Sequence, residues 1–186
     1  MELIEADHYR KDIDGLRAYA VLAVVIFHFG YMPNGFLGVD VFFVISGYLI
    51  TGIIYQKVLG EEFSIRDFYI RRIKRILPLT LFMCLISLIL GVLFMLPDDL
   101  ENLAQSIVAT NFLNNNTLQV LTTKNYWDVV NEYKALMHTW SLAVEEQFYL
   151  FYPFIFLLLA KVKAKLILPV LLFLTALSIF LFFLPF

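Results

Sequence analysis

Residues 76–96 read ILPLTLFMCLISLILGVLFML, an apolar run without a charged side chain. A helix rises about 1.5 Å per residue, so about 20 such residues cross the hydrocarbon core of a bilayer. Working outward from this run, comparable apolar blocks stand at 16–32, 36–56, 141–160 and 166–186. The expected fold is therefore all-α, a polytopic transmembrane helical bundle of about five spanning helices. A long outer loop at 97–140 separates the third block from the fourth. Composition points the same way: 61% of the 186 residues are hydrophobic and 19 are Phe. Mean hydropathy is +0.79. A soluble domain of ordinary composition is only about half apolar.

Net charge is −2, which excludes a strongly basic nucleic-acid binder, and no nucleic-acid partner is expected. The one cysteine, Cys84, lies inside an apolar block, so a disulfide framework is excluded and the residue reads as packing. An acidic, polar stretch of about fourteen residues precedes the first block, and no small-residue cleavage site follows it. That block is expected to be retained as a span rather than removed as a signal peptide.

Lys and Arg are held on the cytoplasmic side of membrane proteins, and their placement sets the orientation. Lys57, Arg66, Arg71, Arg72, Lys74 and Arg75 fall between the second and third blocks, and Lys161, Lys163 and Lys165 between the fourth and fifth. The turn at 33–35 has none, and the 97–140 segment has only Lys124 and Lys134 against Asp98, Asp99, Glu101, Asp128 and Glu132. A cytoplasmic N terminus satisfies every loop in turn. The outer segment is rich in asparagine, and its apolar stretches are compatible with an interfacial helix. Asn115-Asn116-Thr117 matches a glycosylation sequon, a tripeptide common by chance. No internal repeat is visible. The last block runs to Phe186 without a polar flank, so the chain is expected to be part of something longer.

Charged side chains inside a bilayer cost at least about 2.5–3.5 kcal/mol each and need a reason. Arg17 and His28 lie eleven residues apart on the first block. At about 100° per residue they project from nearly the same helix face, roughly 16 Å apart along the axis. Taken singly, the arginine reads as a snorkelling anchor and the histidine as an interhelical hydrogen bond; together on one stripe they suggest a site. Asp40 lies near the outer end of the second block, where Gly38, Ser46, Gly47 and Gly52 would let another helix approach closely. The fourth block opens with His138 and carries Glu145 and Glu146 further in. Adjacent glutamates point about 100° apart, so only one can face a given site comfortably. A carboxylate that orients an imidazole suits general acid–base chemistry near neutral pH. Arg17, Arg71, Arg72 and Arg75 lie at the inner side, and arginine favours phosphate through its forked donors, although a basic loop is also what orientation alone requires. No metal cluster with convincing spacing is present.

Arg17 and His28, then Gly-Val-Asp-Val-Phe-Phe-Val-Ile-Ser-Gly-Tyr (38–48), resemble the acyltransferase family 3 membrane proteins. Phe68-Tyr69-Ile70-Arg71-Arg72-Ile73-Lys74-Arg75-Ile76-Leu77-Pro78 and His138-Thr139-Trp140-Ser141-Leu142-Ala143-Val144-Glu145-Glu146-Gln147-Phe148-Tyr149 look like its next two signatures. The resemblance implies a bacterial plasma-membrane O-acyltransferase that moves an acyl group, usually acetyl, from acyl-CoA to a hydroxyl of lipopolysaccharide O-antigen, peptidoglycan or another envelope glycan. It also implies a longer fold of roughly ten spans, each of about 20 residues, sometimes with an SGNH-type domain, of which this chain matches the N-terminal half. On that reading acetyl-CoA phosphates meet Arg17, Arg71, Arg72 and Arg75, and the pantetheine arm reaches toward His28 as general base. Glu145 or Asp40 orients the imidazole or binds the sugar, His138 joins the catalytic group, and Ser46 as a nucleophile is the disfavoured variant. An inactive fragment or binding module of the same family, or a proton-coupled transporter, are the competing readings.

Overall fold

The computed structural model describes residues 10–122, 134–160 and 167–183. Among the described residues seven α-helices follow in order: α1 (Lys11–His28), α2 (Gly38–Leu59), α3 (Ile65–Phe94), α4 (Pro97–Asn111), α5 (Asn115–Thr122), α6 (Thr139–Ala160) and α7 (Ile167–Phe182). A 3-10 turn, Gly35–Leu37, leads into α2, and no strand occurs among the described residues. The all-α expectation holds. Gly35–Val58, Ile65–Phe94 and Thr139–Leu159 are long and apolar enough to cross a membrane. α1 carries Lys11, Asp12, Asp14 and Arg17 in its first two turns, and α7 runs for 16 residues, so neither meets that standard by itself. Lys124, Asp128 and Glu132, and the basic turn Lys161, Lys163 and Lys165, lie outside the described residues.

α1 ends in a backbone cap that the sequence signals with Gly30. That glycine has φ +80°, the left-handed region that costs a side chain strain. The Gly30 N–H donates to Phe27 O at 2.9 Å and the Tyr31 N–H to Ile26 O at 3.2 Å, the paired bonds of a Schellman motif. His28 is thereby fixed as the last helical residue.

The returning chain crosses α1 closely. A Cβ on Gly35 would run into the carbonyl oxygen of Ala23, and one on Gly38 into that of Ala20, with Val24 Cγ2 only 2.8 Å away. Gly38 therefore does what its sequence context suggests. Gly47 and Gly52 do not: an added Cβ at either meets nothing within 4 Å.

α3 begins at Ile65, earlier than the 76 expected from hydropathy. Ser64 caps it, its Oγ accepting from the Asp67 N–H at 3.3 Å, and helix-favouring basic residues carry the helix into the apolar run. Arg71, Arg72 and Arg75 consequently project from a rigid helix.

The described residues of the 97–140 segment form two helices, α4 and α5, and α4 is more than an interfacial strip. Its buried face, Leu103, Ser106 and Thr110, packs onto α3, where Gly91 leaves the notch that Leu103 fills. Leu103, Cys84 and Leu136 form one small core, which bears out the packing role of Cys84. A second core at the other end joins Ile50 and Ile54 of α2, Phe68 of α3, and Tyr149 and Phe156 of α6.

Candidate active site

The start of α6 is locked by a buried polar cluster. Asn115 is fully buried, and its Nδ2 donates to Leu136 O at 2.9 Å and to Thr139 Oγ1 at 2.6 Å. Thr139 also pairs with Thr110 at 2.9 Å, and Gln147 Nε2 donates to Leu113 O at 2.8 Å. The sequon asparagine is thus a structural strut, and a glycan on it would have no room. This cluster sets the position of His138, one residue before α6.

His138 and His28 come from opposite parts of the chain and lie close enough for their charges to interact. Desolvation and then the neighbouring His28 lower the His138 imidazole below its usual value, which favours the neutral ring. Below His138 lies a cavity of about 400 Å³ between α1, α2, α3 and α6. Its wall is almost entirely apolar, with Val24, Phe42, Phe43, Met83 and Leu142 among its residues, and Glu145 lies on it with His138.

Glu145 is tightly held. Ser46 Oγ from α2 and the Tyr149 hydroxyl one turn along α6 both donate to its Oε1. The Tyr149 ring lies under Arg72, whose guanidinium carbon sits 4.7 Å from the ring centre and 5.8 Å from that of Phe68. Thr51 and Tyr152, joined at 2.7 Å, make a second polar bridge between α2 and α6.

The expected division between the two glutamates is present. Glu145 lines the cavity and Glu146 does not, and Glu146 has a buried Oε1 without a hydrogen-bond partner among the described residues. The four expected arginines do not form one group. Arg17 is half-buried on α1, 3.7 Å from Asp14 and 5.8 Å from the Phe42 ring centre. Arg72 is half-buried against α6, whereas Arg71 and Arg75 are exposed. Asp40 is exposed in the first turn of α2 and does not line the cavity. Among the described residues no group of side chains could hold a metal ion.

Sequence reasoning did not single out Tyr149, and it assigned Ser46 to packing. The signal for Tyr149 was its i+4 spacing from Glu145, which places both on one helix face. No local signal existed for Ser46, because its partner lies on another helix.

The sequence profile described as "Acyltransferase domain" matches residues 10–186. The chain is 40% identical over 156 residues to the peptidoglycan O-acetyltransferase OatA of Listeria monocytogenes, covering 82% of this chain and 25% of that protein. It is 35% identical over 160 residues to the O-acetyltransferase OatA of Staphylococcus aureus, covering 83% and 26%. A putative O-acetyltransferase of Staphylococcus aureus, SAS0844, is 38% identical over 163 residues, covering 84% and 26%. The chain spans about a quarter of the length of these curated relatives. No solved structure matches it.

Proposed function

This chain belongs to the acyltransferase domain family, and on that footing we propose that it carries out O-acyl transfer from acyl-CoA to a hydroxyl of an envelope glycan, peptidoglycan being the first candidate. The carrying observation is the cavity between α1, α2, α3 and α6, which His138 and Glu145 line and His28 does not, with His28 at the end of α1 within electrostatic reach of His138. Two imidazoles and a carboxylate beside an apolar chamber suit proton transfer to and from a bound hydroxyl. His28 takes the proton of the acceptor hydroxyl, whose oxygen attacks the thioester carbonyl. The carbon–sulfur bond then breaks, and the departing thiolate takes up the proton as the thiol. The products are an O-acyl ester and free CoA.

The apolar chamber accommodates the pantetheine arm and the acyl group. The exposed Arg71 and Arg75 supply charge for the donor's phosphates, and Arg17 stands apart from them on α1. Acetyl is the acyl group proposed, because the matched relatives are named O-acetyltransferases. The proposed location is the bacterial plasma membrane, with several spans and the N terminus on the cytoplasmic side, where the donor is made.

The test uses membranes carrying the chain, labelled acetyl-CoA and a peptidoglycan fraction. Transfer is expected from the wild type, and His28→Ala should lower it by about 10²–10⁴-fold, the usual contribution of a general base. Undiminished transfer by His28→Ala would exclude the assigned base. No transfer by inserted wild-type chain would exclude autonomous activity.

A further inference from the structure

Three helices converge on one carboxylate in the middle of the bundle. Ser46 of α2 and Tyr149 of α6 spend their hydroxyl protons on the same atom, Oε1 of Glu145. Tyr149 is itself immobilised: its side chain is buried, and Arg72 of α3 lies 4.7 Å over the ring centre. A carboxylate with one oxygen fixed by two donors on separate helices has little rotational freedom. Both of these bonds fall on Oε1, and Glu145 is one of the residues that line the cavity. Glu145 comes seven residues after His138, roughly 10 Å along the helix axis, so the two side chains serve different parts of that cavity.

We propose that Ser46, Tyr149 and Arg72 are positioning residues that hold Glu145 on the cavity wall to bind a hydroxyl of the glycan acceptor other than the one His28 deprotonates. Arg72 therefore stands apart from the exposed Arg71 and Arg75: it braces Tyr149 and does not bind the donor's phosphates. This rests on the acyltransferase reading and names the acceptor-binding group of the same site. It also explains why a serine is present at position 46, where packing alone would accept alanine.

The test compares kcat and KM in membranes carrying the chain, normalised to the amount inserted. Ser46→Ala and Tyr149→Phe should each lower kcat/KM for the acceptor about ten-fold or more, with KM for acetyl-CoA unchanged. Ser46→Thr, which keeps the hydroxyl, should recover activity to within about three-fold of wild type. Arg72→Ala should follow the Tyr149 variant, whereas Arg71→Gln and Arg75→Gln should raise KM for acetyl-CoA. Wild-type acceptor kinetics in Ser46→Ala and Tyr149→Phe, or a raised acetyl-CoA KM in Arg72→Ala, would overturn the assignment.

A second readout needs no turnover, so it separates this assignment from the acyltransferase reading. The Glu145 carboxylate stretch, identified in infrared spectra by difference from Glu145→Gln, should shift in both Ser46→Ala and Tyr149→Phe. An unshifted band in either variant would overturn the assignment, even if the wild-type chain transferred no acetyl group.

Discussion

Replacing Asn115 with alanine tests whether the outer helices hold the start of α6 in place. The side chain is fully buried and donates twice from Nδ2, to Leu136 O at 2.9 Å and to Thr139 Oγ1 at 2.6 Å. Each such bond contributes about 1 kcal/mol net, and orphaning a buried acceptor adds to the loss. Here the acceptors are only partly orphaned. Leu136 O keeps the bond from Thr139 Oγ1 at 2.9 Å, and Thr139 keeps Thr110 at 2.9 Å. The two lost Nδ2 bonds, the long bond that Asn115 Oδ1 accepts from Gln119 Nε2 at 3.4 Å, and a small cavity together give about 3 kcal/mol. For a chain of this size that lowers Tm by about 5–10 °C. Asn115→Asp should do more harm, because it sets a carboxylate oxygen against the Leu136 carbonyl and buries a charge. The assay is a thermal melt in detergent followed by a thiol-reactive dye. Cys84 is the sole cysteine and is buried against Leu103 and Leu136, so the dye reports opening next to the perturbed bond. An Asn115→Ala chain melting within about 1 °C of wild type, or Asn115→Asp melting like wild type, would refute the strut.

Gly38→Ala should cost about 1–3 kcal/mol, because the new methyl meets the Ala20 backbone, which cannot turn aside. Gly91→Ala should cost less, since the obstacle is the far end of the Leu103 side chain rather than backbone, and Gly47→Ala, in open space, should be neutral or stabilising by up to about 1 kcal/mol; the same dye melt ranks the three. The His138 pKa is lowered on folding, so the unfolded chain binds the proton more readily as pH falls through about 6.5, and stability is lost in that direction. Wild type should therefore gain Tm between about pH 5 and 7.5 relative to His138→Gln, and parallel profiles for the two chains would contradict the desolvated imidazole.

Much of the helical content was legible because it is written locally. The uncharged run at 76–96 specifies a membrane-length helix whatever surrounds it, since an unpaired backbone cannot be tolerated in hydrocarbon. The cap at Gly30 ends α1 inside the 16–32 block, and the i+4 spacing of Glu145 and Tyr149, which the sequence reading passed over, places both on one face. α3 begins ahead of the apolar run at 76 because hydropathy marks where a membrane span can begin, whereas a cap such as Ser64 marks where the helix begins. The outer segment was harder. Its helices are only partly apolar, and what buries Asn115 is a set of partners on α4 and α6 that no short window contains.

The sequence by itself determined the class of fold, the family, the pairing of Arg17 and His28 on one helix, and the rule that only one of the two adjacent glutamates could face a site. Only the tertiary structure put Glu145 rather than Glu146 on the cavity wall, brought His28 within electrostatic reach of His138, gave Glu145 its donors, and separated Arg72 from Arg71 and Arg75. The physical reason lies in helix packing. Neighbours along a helix are fixed by its own geometry, but which face meets another helix depends on rotation about the axis. That rotation is set by contacts between distant segments, such as the close crossing of Gly35 and Gly38 on α1.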